Sequence, residues 1–224
     1  MIASRHLGLL SVTLLAACVH AQKAPDKQAN LAKLDAASKS FVNFQADVEQ
    51  DAFTRLVKQT DKSTGKMYSI RGKGGDEIGI QIGTRTVHYQ NGILKDFTAG
   101  LACYNTYSAE KNKATFDTIL TLAFGSSGKD LAAKWTITDQ GPQTLTVDGK
   151  PTQLEELDLV PIEQGLKNNI SHIKLWMDLD KDYSPKLITF SPSGDTTTAI
   201  YSNIKLNAAK VETKPFEIKG KPCK

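Results

Sequence analysis

His88 and His172 are the histidines beyond the first twenty residues, and they are the obvious candidates for a general base. Neither is accompanied by a nucleophile motif, so covalent catalysis has no nucleophile–base pair to start from. Each reads as a surface or boundary side chain on its own strand. The stretch Gly125-Ser126-Ser127-Gly128-Lys129-Asp130 has some residues of a phosphate-cradling loop. It lacks the four-residue spacer and the Ser or Thr after Lys that would hold magnesium. Gly72-Lys73-Gly74-Gly75 is a flexible turn before an acidic strand and not a dinucleotide fingerprint. Asp178, Asp180 and Asp182 alternate along the chain, as calcium ligands can. Tyr183 stands where the loop would need Gly, and Thr189 where it would need a bidentate Glu, so a polar turn closed by Pro185 is the better account. No catalytic residue, metal or cofactor is expected, and the chain does not read as an enzyme.

The beginning of the chain says where it works. Arg5 and His6 precede an uncharged run from Leu7 to Ala17, and small residues follow. A basic start, a short apolar stretch and a small-residue cleavage site make a secretory signal. The run is too short to span a bilayer, which needs about 20 residues. Two cleavage patterns overlap. Leu15-Ala16-Ala17-Cys18 reads as a lipobox, in which Cys18 is acylated and becomes the new N-terminus. Val19-His20-Ala21 before Gln22 suits ordinary signal peptidase. Residues 1–21 are therefore expected to be signal peptide, cut before Cys18 in the first case and after Ala21 in the second. Residues 22–30 would be a flexible linker and 31–224 a single domain. The location is the periplasm, with an outer-membrane anchor where Cys18 is acylated, each buried methylene contributing about 0.8 kcal/mol.

An oxidising compartment makes Cys103 and Cys223 a candidate disulfide, pinning the C-terminal tail to a central strand. Such a bridge would stabilise by roughly 4–5 kcal/mol in the chain-entropy model; two unpaired thiols are the alternative. Neither lies in a C-x-x-C motif, so redox catalysis has no support. Twenty-eight Lys and Arg against 24 Asp and Glu leave a net charge of +4. The lysines are scattered, so no nucleic-acid partner is expected.

Positioning these residues falls to a chain whose period changes from 3.6 to 2. Leu31, Leu34, Ala37 and Phe41 predict an amphipathic helix over 29–41. Phe44, Ala46 and Val48 then alternate with Gln45, Asp47 and Glu49, as a half-buried strand should. Strands are predicted at Lys66–Arg71, at Ile78, Ile80 and Ile82, and across a Thr84–Tyr89/Ile93–Phe97 hairpin turning at Asn91-Gly92. Ala102–Tyr107 follows. Phe116, Ile119, Leu120 and Ala123 predict a short helix over 115–124, stopped by Gly125, with another turn or two at 129–133. Strands resume at 135–138, 143–147, 153–160, 170–178, 186–191 and 196–206, and Phe216–Ile218 reads as a short final one. The fold class is mainly β (α+β), with about ten mostly antiparallel strands in a sheet long enough to curl.

The motifs FVNFQADVEQ (Phe41–Gln50), GKMYSIR (Gly65–Arg71), Trp176-Met177-Asp178 with Pro185, FSPSGD (Phe190–Asp195) and YSNIKLN (Tyr201–Asn207) occur in a particular order. Together they resemble the outer-membrane lipoprotein carrier family, the LolA/LolB-like lipoprotein-sorting proteins, over roughly Leu31 to Ile218. That resemblance implies an unclosed antiparallel β-barrel around a helical lid, its apolar cavity taking acyl chains of lipoproteins or phospholipids. By position, Arg71 would be the lid latch, with Gly72 replacing the family's usual proline. Phe44, Val48, Met67, Ile78, Ile80, Ile82, Phe116, Ile119 and Leu120 would line the cavity. Partners would be acyl chains, an inner-membrane release complex or an outer-membrane acceptor, and the protein would be a monomer. The expected function is lipid-binding transport during lipoprotein sorting; an envelope lipid sensor or regulatory module with the same fold is the alternative.

Overall fold

A computed structural model of the chain describes residues 26–72, 75–108, 122 and 124–223. Cys18 with the segment read as a signal peptide, and Phe116, Ile119 and Leu120, lie outside the described residues. Among the described residues, eleven antiparallel strands form a single sheet: β1 (Asn43–Thr54), β2 (Gln59–Ile70), β3 (Glu77–Ile82), β4 (Arg85–Gln90), β5 (Ile93–Thr98), β6 (Asn105–Ser108), β7 (Trp135–Val147), β8 (Lys150–Pro161), β9 (His172–Asp178), β10 (Tyr183–Phe190) and β11 (Thr196–Leu206). Their order is β6-β5-β4-β3-β2-β1-β11-β10-β9-β8-β7. Two meanders are thus zipped together by the pairing of β1 with β11, in which Val48 faces Tyr201. β6 and β7 stand at opposite edges, so the barrel is unclosed.

Several strands differ from their predicted spans for reasons visible in the residues. The predicted strands at 135–138 and 143–147 are one strand, β7, with a register irregularity between Asp139 and Gly141. The polar run Asp139-Gln140-Gly141-Pro142 looks like a break, but a bulge absorbs it, and an edge strand tolerates the proline. β1 and β2 run five and seven residues past the predicted spans: the outer half of β1 stays paired with β11 as far as Phe53 opposite Thr196, and the outer half of β2, paired with β1 on one side, is mostly exposed. No strand forms at Phe216–Ile218; Pro215 sits in a 3-10 turn, Lys214–Phe216, instead. The Asn91-Gly92 turn has both residues at positive φ, as a type I′ hairpin requires.

Helix α1 (Lys27–Ala37) begins inside the stretch read as linker. The Asp26 carboxylate accepts from the Ala29 amide at 3.1 Å and caps it. A 3-10 turn, Ser38–Ser40, leads into β1. Asn207 fastens that junction: its side chain accepts from the Val42 amide at 2.8 Å and donates to the Ser40 carbonyl at 3.0 Å. Helix α2 (Gly128–Lys134) is capped by Ser127, which explains the glycine- and serine-rich stretch without a phosphate. A single helical turn, α3 (Gln164–Lys167), bridges β8 and β9.

Residues paired across neighbouring strands share a face. Tyr201, Val48, Gly65 and Ile82 form one row of it, across β11, β1, β2 and β3. Gly65 lets the sheet bend there, since a Cβ would fall 1.7 Å from the Gln81 carbonyl oxygen. The opposite, outer face is crossed by the C-terminal strap. Gln45 donates to the Lys210 carbonyl at 3.1 Å and accepts from the Glu212 amide at 2.9 Å. Phe216 then meets the Tyr68 ring edge-on, with centroids 4.7 Å apart. Cys223 ends the strap in a disulfide to Cys103, their Cα atoms 5.0 Å apart and 120 residues distant in sequence. Closing so long a loop is worth at most about 4–5 kcal/mol. Cys223→Ser is therefore expected to lower the unfolding free energy by a few kcal/mol. Urea titration of both proteins with and without reductant checks this: reductant should lower the wild-type midpoint and leave the variant unmoved.

Candidate functional site

The inner face of the bent sheet has two unlike halves. Over β7, β8 and β9 it is filled. Leu34 of α1 and Leu131 of α2 pack with Leu122 onto Trp135, Ile137, Leu157, Leu159, Ile173, Leu175 and Met177. The two helices approach until a Cβ on Gly128 would lie 2.2 Å from the Leu31 carbonyl oxygen. The Lys129 amide donates to Asp35 at 2.9 Å across the same contact. Close packing of this kind leaves no room for a guest.

Over β1, β2, β3, β10 and β11 the face is only partly filled. Phe44 and Phe124 stack with centroids 3.7 Å apart, and Tyr201 meets the Phe124 ring edge-on at 5.1 Å. Beyond these rings lies a cavity of about 200 Å³, walled by Val48, Met67, Ile80, Ile82, Leu187 and Ala199. Gln50, Thr189 and Thr197 give it a polar mouth at the end where β1, β3 and β10 terminate. A wider groove of about 530 Å³ runs on the outer face beneath the strap, but Asp47, Lys66, Lys205, Lys210 and Glu212 make it polar.

Of the residues singled out in the sequence, Val48, Met67, Ile80 and Ile82 are brought together at the cavity wall. Phe44 and Ile78 are not on it. Phe44 is wholly buried in the floor against Phe124, and Ile78 packs deeper, opposite Ser69 and Tyr89. Phe124, at the end of the predicted helix 115–124, instead bridges antiparallel to Tyr183. Tyr201, Ala199, Leu187, Thr189 and Thr197 were absent from the expected lining. Their period of two is present in β10 and β11, but Ile200 and Ile188 on the opposite face obscure which side is inward.

Arg71 sits at the end of the sheet away from the mouth. Its guanidinium donates to the carbonyls of Ser38, at the end of the α1 segment, and of Gly125, ahead of α2. The same group lies over the Phe41 ring, 5.1 Å from its centroid. Planar, forked donors suit such bridging of two carbonyls. Gly72, in place of proline, leaves this geometry intact, because the Arg71 amide is already fixed to the Val42 carbonyl at 2.9 Å.

Next to Arg71 is a carboxylate that has no hydrogen-bond partner among the described residues. Asp182 is 0% exposed, and neither of its carboxylate oxygens accepts a hydrogen bond. Burial pushes its pKa up to about 7, against the pull of Arg71. Its backbone explains its position: φ is +56° at the close of the β9–β10 turn, and its carbonyl accepts from the Gly125 amide at 3.2 Å. Asp178, by contrast, is a turn residue, accepting from the Asp180 and Lys181 amides and from the Lys181 ammonium. A second strained carboxyl lies under α1. Burial, with a hydrogen bond to Asp139, raises Glu155 to about 7, while Asn30 of α1 donates to Asp139 at 2.9 Å.

The two histidines lie elsewhere. His88 and Tyr68 both bond Glu77 on the outer face, and Gln90 donates to it as well. Burial works against the Glu77 carboxylate, but these hydrogen bonds hold it below the usual carboxylate range. The cluster supports Phe216 through Tyr68. His172 stacks on Phe190, centroids 4.1 Å apart, outside the cavity. Among the described residues, no group of three His, Cys, Asp or Glu is placed to hold a metal.

No protein-family model matches the chain, and no curated protein matches it. Among solved structures its fold is similar to the lipoprotein LppX of Mycobacterium tuberculosis, at 10% identity and TM-score 0.47, over 84% of this chain and 99% of that one. It is similar to an outer membrane lipoprotein-sorting protein domain from Vibrio parahaemolyticus, at 11% identity and TM-score 0.44, over 84% and 97%. MucB matches at 15% identity and TM-score 0.45, over 86% of this chain, which spans 62% of the MucB chain. A LolA superfamily protein from Nitrosomonas europaea is also similar, at 14% identity and TM-score 0.38. At such distances the likeness describes the sheet and settles no function.

Proposed function

We propose that the chain is a lipid-binding protein of the bacterial envelope that shelters acyl chains of lipoproteins or phospholipids on its inner face. One observation carries this reading: half of that face is plugged by helices, and the other half encloses an apolar cavity with a polar mouth. An acyl chain in water loses about 0.8 kcal/mol per methylene, so crossing an aqueous compartment requires such a container. The cavity, at about 200 Å³, is below the 300–1,000 Å³ of typical ligand sites. A full chain therefore needs the α1 and Gly125 segments to move, and Arg71, which ties them, is the latch. Met67 suits a wall that must adapt to different chains.

Binding of a fluorescent fatty acid tests the reading, with Ala199→Phe as the variant that fills the cavity from its wall. The wild type is expected to take up the probe saturably, and the variant to bind at least about tenfold more weakly, which is 1.4 kcal/mol. Equal binding by both proteins, with the variant folded, would place the acyl chain elsewhere. No uptake by the wild type would remove the carrier reading altogether.

A further inference from the structure

Among the described residues the two most exposed large apolar side chains are at the mouth end, while Val42, at 52%, is exposed at the other. Leu56 is 92% exposed and Val57 63% exposed, side by side at the tip of the β1–β2 hairpin. Turns favour Gly, Asn, Asp, Ser and Pro, so two adjacent aliphatic residues there have no local structural reason. Nor is the tip loose. The Arg55 amide donates to the Asp195 carboxylate at 2.8 Å, and its guanidinium to the Ser193 carbonyl at 3.3 Å. The neighbouring β10–β11 turn therefore braces the hairpin. From Thr54 to Gln59 the chain carries Arg55 and Lys58 and no acidic residue.

Position adds to this. Gln50 lies at the cavity mouth, and β1 continues four residues further, to Thr54. Thr197 of the mouth pairs with Ala52, so at 3.3 Å per residue the tip stands roughly 7 to 13 Å beyond the mouth. Leu101, after β5, and Ile162, after β8, are 57% and 51% exposed at the same end of the sheet. The opposite end is the one tied by Arg71.

We propose that this end of the barrel docks on an anionic lipid bilayer, with Leu56 and Val57 entering the headgroup region and Arg55 and Lys58 meeting lipid phosphates. Aliphatic residues flanked by cations fit such an interface, whereas a second copy of this chain would set cations against cations. Docking would place the cavity mouth over the membrane, so that a chain could pass between them without meeting water. The proposal deepens the acyl-chain reading and rests on it only for the purpose of docking.

Vesicle flotation of the full chain carrying Cys18→Ser, purified from the envelope, removes any acyl anchor from the measurement. Vesicles of phosphatidylethanolamine with phosphatidylglycerol are the probe, and phosphatidylcholine vesicles the uncharged control. The protein is expected to float with the anionic vesicles, and Leu56→Asp/Val57→Asp to lose about tenfold in partitioning while still binding the fluorescent fatty acid. Trp135 and Trp176 are both buried, so Leu56→Trp adds a reporter whose emission should shift to the blue on anionic vesicles. A double variant that floats like its parent, or a parent that stays in the aqueous fraction, overturns the proposal. Tip-dependent flotation without fatty-acid uptake keeps the docking surface and removes the carrier reading. Uptake without flotation does the reverse.

Discussion

Arg71→Ala is expected to lower the unfolding free energy by roughly 2 kcal/mol and to speed acyl-chain uptake at the same time. Hydrogen bonds from a charged donor contribute about 1.5–3 kcal/mol each. Arg71 makes two part-buried ones, to the Ser38 and Gly125 carbonyls, but the residue as a whole is exposed, so water takes over part of their strength. The two effects have one cause. The guanidinium ties the end of the α1 segment to the loop ahead of α2, and these are the segments that must part if the cavity is to enlarge. Arg71→Lys keeps the charge but has no fork to span two carbonyls, so it should fall between wild type and alanine. Urea titration measures the stability, and stopped-flow fluorescence with the fatty-acid probe measures entry. Amide exchange in α1 adds a readout that packing alone would not move. A variant with wild-type entry rate and wild-type protection in α1 would show that Arg71 is no latch.

How much of this could be read from the residues depends on whether a feature is local. The period-2 runs in β1, β3 and β11 announce their strands, and Asn91-Gly92 announces its turn, because alternation and turn chemistry act over a few residues. Cavity walls at Val48, Met67, Ile80 and Ile82 follow from the same alternation once one face is taken as inward. The contribution of β10 and β11 is hidden, since Ile200 and Ile188 lie on the outer face while Ala199, Thr197 and Thr189 face in. The β1–β11 pairing that joins the two meanders is non-local and has no signature at either strand. Asp182 was legible as a turn residue, which it is. Its burial beneath the Gly125 segment depends on a bridge between Phe124 and Tyr183, residues 59 positions apart, and that has no trace in the turn itself.

That buried carboxylate, with Glu155, is expected to shape the pH dependence of stability. A carboxyl whose folded pKa lies above its unfolded value holds a proton more tightly in the native state. Its contribution to stability is full below the unfolded pKa and is lost as pH rises through the folded one. For Asp182 the window runs from about 4 to about 7, and Glu155, raised to about 7 as well, has the same sign. Stability is therefore expected to fall across this range. Moving Asp182 from 3.8 to about 7 corresponds to at most about 4 kcal/mol. Asp182→Asn removes the charge and keeps the backbone, since asparagine accepts the same positive φ. Above pH 7 the variant should be more stable than wild type by up to that amount, and near pH 4 the two should nearly coincide. The clamp enters through Arg71, whose charge favours the Asp182 carboxylate. In the Arg71→Ala background the gain from Asp182→Asn should grow, so the double-mutant cycle should show coupling between the two positions. Denaturant midpoints of the four proteins at pH 5 and pH 8 supply the measurement. A gain from Asp182→Asn that is equal at both pH values would mean that the aspartate is already satisfied in the folded protein and that its charge is not coupled to Arg71.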